Sequence, residues 1–122
     1  MLTTQTTTPT IAITARPLPA PALTHSARII LPVADNAGNR LTWEWITRLI
    51  AARFGGLTRT DGEGQWVGED GTLYHDATLI VDVDYSGNGE GAEYLAGLAQ
   101  AAKEYVAQEA IYLRVDGQTY FI

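Results

Sequence analysis

The chain has 122 residues, 46% of them hydrophobic and 18% charged, and its 14 acidic and 8 basic side chains leave a net charge of −6. That size and balance suit one folded domain with a real core and exclude a disordered chain. The acidic surplus argues against a nucleic-acid backbone or an anionic membrane as the main partner, because both require clustered Lys and Arg. The absence of cysteine excludes disulfides, zinc–thiolate sites and cysteine nucleophiles.

Residues 1–26 form a Thr/Pro-rich arm, with four of the five prolines between Pro9 and Pro21. Prolines at that density forbid a helix and favour extended backbone. Within the arm, "TIAIT" is expected to pair as an edge strand or to pack on a neighbouring subunit. Residues 27–122 read as a single α+β domain. "ARIILPV" is a β-branched apolar strand. In "LTWEWITRLIAARFGG" the residues Trp45, Leu49 and Ala52 make one stripe at helical spacing, flanked by Ile46, Ile50 and Phe54, and Gly55 and Gly56 stop the helix. "GLTRTDGEGQWVGEDGTLYHD" suits a hairpin with loops around Asp61 and Asp70. "ATLIVDVDY" is a second strong strand. "GEGAEYLAGLAQAAKEYVAQ" is a helix with Leu95, Leu98, Ala102 and Tyr105 or Val106 inward, and "AIYLRV-DG-QTYFI" closes the chain as a strand or hairpin. The succession predicts a ferredoxin-like β-α-β-β-α-β sandwich, an antiparallel sheet with two helices on one face.

Period-two alternation sorts the strand residues. Leu79, Val81, Val83 and Tyr85 face the helices, as do Ile29, Leu31 and Val33 and, late in the chain, Ile111, Leu113 and Val115. The open face then carries Arg28, Ile30, Ile80, Asp82, Asp84, Tyr112 and Arg114. Apolar members among the charges point to burial against a second copy, so a homo-oligomer is expected. Cross-strand ion pairs between the arginines and the aspartates account for the same residues without any ligand.

"FGGLTRTDGEGQW", "TLIVDV" and "AKEYVAQEAIYLRV" together resemble a family of small bacterial and phage proteins of unknown function. The matching residues are Gly56, Leu57, Thr58, Asp61, Gly62, Gly64, Gln65 and Trp66, then Tyr105, Gln108, Glu109, Ala110 and Arg114. The resemblance covers about residues 27 to 121. It implies a compact phage or mobile-element protein and carries no known chemistry.

Residues 82–93, "DVDYSGNGEGAE", scan as a calcium loop. Asp82, Asp84 and Ser86 alternate, Gly87 supplies the sharp turn and Glu93 the terminal carboxylate. A strand enters where a helix should, and Gly89 stands where an apolar residue is normal. Strand alternation explains Asp82 and Asp84, and the helix dipole explains Glu90 and Glu93. Calcium is therefore the alternative reading. His75 and Asp76 are adjacent in a strand and point to opposite faces, which makes no relay. Neither Ser26 nor Ser86 sits in a nucleophile elbow. No catalytic residue is assigned, and the chain is read as non-enzymatic. Trp45 reads as core, whereas Trp66 beside a Gly-rich loop suits stacking on a flat ligand.

These observations lead to a small cytoplasmic, acidic, anti-defence binding protein without a cofactor. It would sequester a nucleotide-like signal or block a host protein. In the first form Arg28, Arg59 and Arg114 meet negative charge while Trp66 or Tyr112 stacks on a base. In the second, the acidic loops face a basic target. No apolar run reaches the length of a membrane span.

Overall fold

The alternating apolar runs build the sheet, and two amphipathic helices cover it. In the computed structural model, which describes residues 10–122, the elements are β1 (His25–Pro32), α1 (Glu44–Phe54), β2 (Thr58–Val67), β3 (Leu73–Tyr85), α2 (Glu90–Val106), β4 (Tyr112–Val115) and β5 (Gln118–Phe121). The strands form one antiparallel sheet in the order β2-β3-β1-β4-β5. Architecturally this is an α+β chain with five antiparallel strands and two helices. The expected β-α-β-β-α-β succession is present, with β5 added outside β4.

The core follows the predicted alternation. Ile29, Leu31, Val81, Val83 and Leu113 from the sheet meet Ile46, Ile50, Leu95, Leu98 and Ala102 from the helices, all buried. Each fully buried aliphatic side chain stabilises the fold by about 1.5–3 kcal/mol. In α2 the last inward position is Val106, while Tyr105 is exposed. At the C-terminus of α1, Gly55 adopts φ 91° and donates its N–H to the Ala51 carbonyl. The β4–β5 hairpin turns on Asp116 (φ 49°) and Gly117 (φ 80°), the paired left-handed geometry of a type I′ turn.

Three expectations are corrected. Trp43, not Trp45, is the deeply buried indole. It stands one residue before α1, outside the helical periodicity, and donates from Nε1 to the Pro32 carbonyl at 2.6 Å. Trp45 packs half-buried beside it, with ring centroids 6.0 Å apart. Secondly, no turn occurs at Asp61. Thr58–Val67 is a continuous strand because it pairs along its length with β3, and the turn falls at Gly68–Thr72. Thirdly, "TIAIT" forms no strand within the chain. Residues 10–24 lack helix and strand, and Ile11 and Ile13 are exposed. Residues 1–9 of the predicted arm lie outside the described residues.

Candidate functional site

β3 is the longest strand, with 13 residues. Only its C-terminal part, Thr78–Tyr85, pairs with β1, whereas Leu73–Ala77 pairs with β2 alone. Beyond residue 77 toward its turn, the β2–β3 hairpin is therefore a two-stranded arm projecting from the sheet. A cavity of 270 Å³ opens at the root of the arm, where β1 ends and the chain runs toward α1. Val33, Leu41 and Leu79 supply apolar lining, buried Trp43 contributes to the wall, and Arg40, Arg59 and Asp61 bring charge. Arg59 and Asp61 are opposite Val81 and Leu79 in the register, so both lie on the helix-side face of the sheet.

The arm continues that face outward. Glu63 lies two residues beyond Asp61, and its carboxylate accepts from Gln65 Nε2 at 3.3 Å. The other oxygen lies 3.0 Å from His75 Nδ1. These bonds, the one to His75 foremost, hold the Glu63 carboxyl below the usual carboxylate range. Farther out on the same face, Val67 and Leu73 are exposed and directly paired. The opposite face of the arm carries a second set. The rings of Trp66 and Tyr74 stack with centroids 4.5 Å apart. Trp66 Nε1 donates to Asp76 at 2.8 Å, and the Tyr74 hydroxyl donates to Asp70 at 3.0 Å.

At the other end of the sheet a cavity of 330 Å³ lies between the end of β3 and the start of α2, lined by Tyr85, Gly87, Gly91 and Phe54 among others. A Cβ on Gly91 would come within 2.7 Å of the Tyr85 ring, so that approach of helix to strand requires glycine. His25 stacks on Tyr85 beside it, with centroids 5.2 Å apart. Its Nδ1 lies 2.7 Å from an Asp116 carboxylate oxygen and its Nε2 2.9 Å from the Gly87 carbonyl. Both partners only accept, so the doubly protonated imidazolium alone satisfies them together. The bond to Asp116 is the main reason the His25 pKa is raised, and the same bond lowers that of Asp116.

The structure separates the residues predicted to bind a ligand. Arg59 lines the first cavity, while Trp66 lies farther along the arm on its opposite face. Arg28, Tyr112 and Arg114 are together on the open sheet face and line neither of these two cavities. Arg28 is held by Asp82 through two bonds of 2.7 and 3.1 Å, which fits the ion-pair reading of that face.

The predicted calcium ligands are likewise spread out. Asp82 and Asp84 lie along β3, Ser86 Oγ donates to the Ala22 carbonyl at 3.4 Å, and Glu93 is in the first turn of α2. Asp82 and Asp84 lie on a straight strand and Glu93 on the helix that follows, so these groups do not curve round one ion as the ligands of a calcium loop do. Among the described residues no group of three or more His, Asp or Glu side chains converges as a metal site.

The Glu63–His75 contact, the Trp66–Asp76 bond and the role of Arg40 were missed in the sequence. The first two had a usable signal, since counting outward equally from Asp70 pairs Trp66 with Tyr74 and Gln65 with His75, as the register does. Arg40 had none, because it reaches the cavity from an irregular segment.

No protein family matches the chain, and no curated protein sequence does. The fold does have relatives among solved structures. A phage SAM lyase in complex with S-methyl-5′-thioadenosine superposes with a TM-score of 0.65 at 15% identity, covering 86% of this chain and 95% of that one. A phage SAM lyase in the apo state gives 0.65 at 16% identity, covering 88% and 95%. At such identity the likeness establishes the fold. It overturns the reading of a non-enzymatic binding protein, in both its sequestering and its host-blocking forms, and the calcium protein offered as its alternative. The non-enzymatic reading rested on the lack of a catalytic motif in the sequence, and the calcium reading on the spacing of residues 82–93. No helix among the described residues is long and apolar enough to cross a membrane.

Proposed function

We propose that this chain is a phage enzyme that cleaves S-adenosylmethionine, or a close sulfonium nucleoside, and releases a 5′-thioadenosine. The observation that carries the proposal is the likeness to the SAM lyase structures over most of both chains. S-methyl-5′-thioadenosine is what remains of S-adenosylmethionine once the bond between sulfur and the amino-acid side chain breaks with its electron pair on sulfur. The four-carbon fragment leaves either as a lactone closed by its own carboxylate oxygen or as an alkene after loss of its β-proton. The net charge of −6, unsuited to a polyanion, suits a cationic sulfonium. An enzyme that removes the cell's methyl donor is also an anti-defence protein, by destruction of the signal and not by sequestration.

The helix-side face of the arm offers the matching chemistry. The Glu63 carboxylate, kept ionised by His75 and Gln65, places negative charge next to the cavity, where it attracts and orients a cationic sulfonium. Exposed Val67 and Leu73 extend an apolar strip along which a nucleoside can lie. We also read the framework as a ferredoxin-like unit extended by β5. The central position of β1 and β3, with β2 and β4 flanking them, supports that reading.

The test is to incubate the purified protein with S-adenosylmethionine and quantify S-methyl-5′-thioadenosine by chromatography against the slow spontaneous breakdown. Product is expected well above that background, and Glu63→Gln is expected to lower kcat/KM roughly 10- to 100-fold through weaker substrate binding, as losing a contact to a charged group does. Product formation at the no-protein rate rejects the proposal.

A further inference from the structure

We infer that the cavity at the root of the β2–β3 arm takes the α-amino-acid end of the substrate, with Arg59 and Arg40 receiving its carboxylate and Asp61 its ammonium group. This rests on the proposed sulfonium-nucleoside reading and deepens it. In a chain with 8 basic residues against 14 acidic ones, two arginines line this single cavity. Among the described residues neither is in an ion pair, although Arg28 and Arg48 both are. Planar guanidinium groups without a carboxylate partner are suited to bidentate recognition of one brought by a ligand.

A polyanion fits poorly, because Asp61 lines the same cavity and Glu63 follows on the same strand face. A group carrying both charges fits well. Arg59 and Asp61 are alternate residues of one strand, so their side chains leave the backbone about 6.7 Å apart on the same side. That spacing lets one side chain meet a carboxylate and the other an ammonium on a single α-carbon. Val33, Leu41 and Leu79 supply apolar lining for the methylenes that follow. The next side chain outward on that strand face is Glu63, where the sulfonium would come. The polarity of the substrate thus runs from the cavity toward the arm's tip.

The experiment compares two ligands by calorimetry. S-adenosylhomocysteine has the amino-acid end, and S-methyl-5′-thioadenosine lacks it. Arg59→Gln and Arg40→Gln are expected to weaken S-adenosylhomocysteine roughly 10- to 100-fold, as losing a hydrogen bond to a charged group does. Both should change S-methyl-5′-thioadenosine affinity by no more than about twofold. Arg48→Gln, an equal charge change on the exposed face of α1, should alter neither. Equal weakening of both ligands, no weakening of either, or the same effect from Arg48→Gln overturns the inference and leaves the nucleoside reading standing. If the unaltered protein binds neither ligand, the nucleoside reading falls, and this inference falls with it.

Discussion

The two ends of β3 live in different environments. From Leu79 to Tyr85 the strand lies in the sheet beside β1, with every inward side chain buried under the helices. From Leu73 to Ala77 it has β2 as its strand partner, and its residues are exposed. The inner end is held by apolar packing, where volume decides stability. The outer end is held by cross-strand contacts between polar and aromatic groups, Glu63 with His75 and Trp66 with Tyr74 and Asp76. Two-stranded ribbons are marginal in isolation, so the outer end has few constraints beyond those contacts. A single strand thus anchors the fold at one end and carries an exposed set of polar and aromatic side chains at the other.

The sharpest way to break that division is at the inner end. Leu79→Ala removes a side chain that is 5% exposed and should lower stability by about 2–5 kcal/mol, read by chemical denaturation. An equal loss from an arm substitution would erase the contrast. Trp66→Ala should change stability by no more than about 1 kcal/mol, since surface substitutions seldom exceed that. It should nonetheless lower turnover several-fold, because Trp66 braces Tyr74 and Asp76 across the arm. Unchanged turnover would show that the opposite face of the arm takes no part in the proposed reaction.

The smallest effect concerns the far end of the sheet. The His25 pKa is raised in the folded protein, so its contribution is fully present below about 6.5, the unfolded value, and is lost as pH rises through the folded one. Asp116 is shifted down, so its contribution is present above its unfolded value and lost as pH falls through the folded one. The melting temperature of the parent should therefore fall more than that of His25→Gln between pH 6 and pH 9. Parallel curves would show that the contact contributes nothing.

The inner end of β3 was legible because burial on one face imposes a strict alternation, and Leu79, Val81, Val83 and Tyr85 obey it. The stop of α1 at Gly55 was legible for a similarly local reason. Trp43 escaped because a residue outside the helix has no helical phase to follow. Asp61 was misplaced into a turn because Gly62 and Gly64 favour turns by themselves, while pairing with β3 overrides that preference. The candidate site was least legible. Its groups meet across a register and around a cavity, so Glu63 and His75, 12 residues apart, look unrelated until the turn between them is fixed.

β2 is one edge of the sheet and ten residues long, whereas the opposite edge strand β5 has four. A long unpaired edge is a template on which another chain can add a strand and begin to aggregate. Here that edge carries Arg59, Asp61 and Glu63 with Gly62 and Gly64 interspersed, a composition that charges the edge and gives strand addition little to hold. The residues proposed to meet the substrate thus also guard the edge against self-association, and exchanging them for apolar ones is expected to lower solubility.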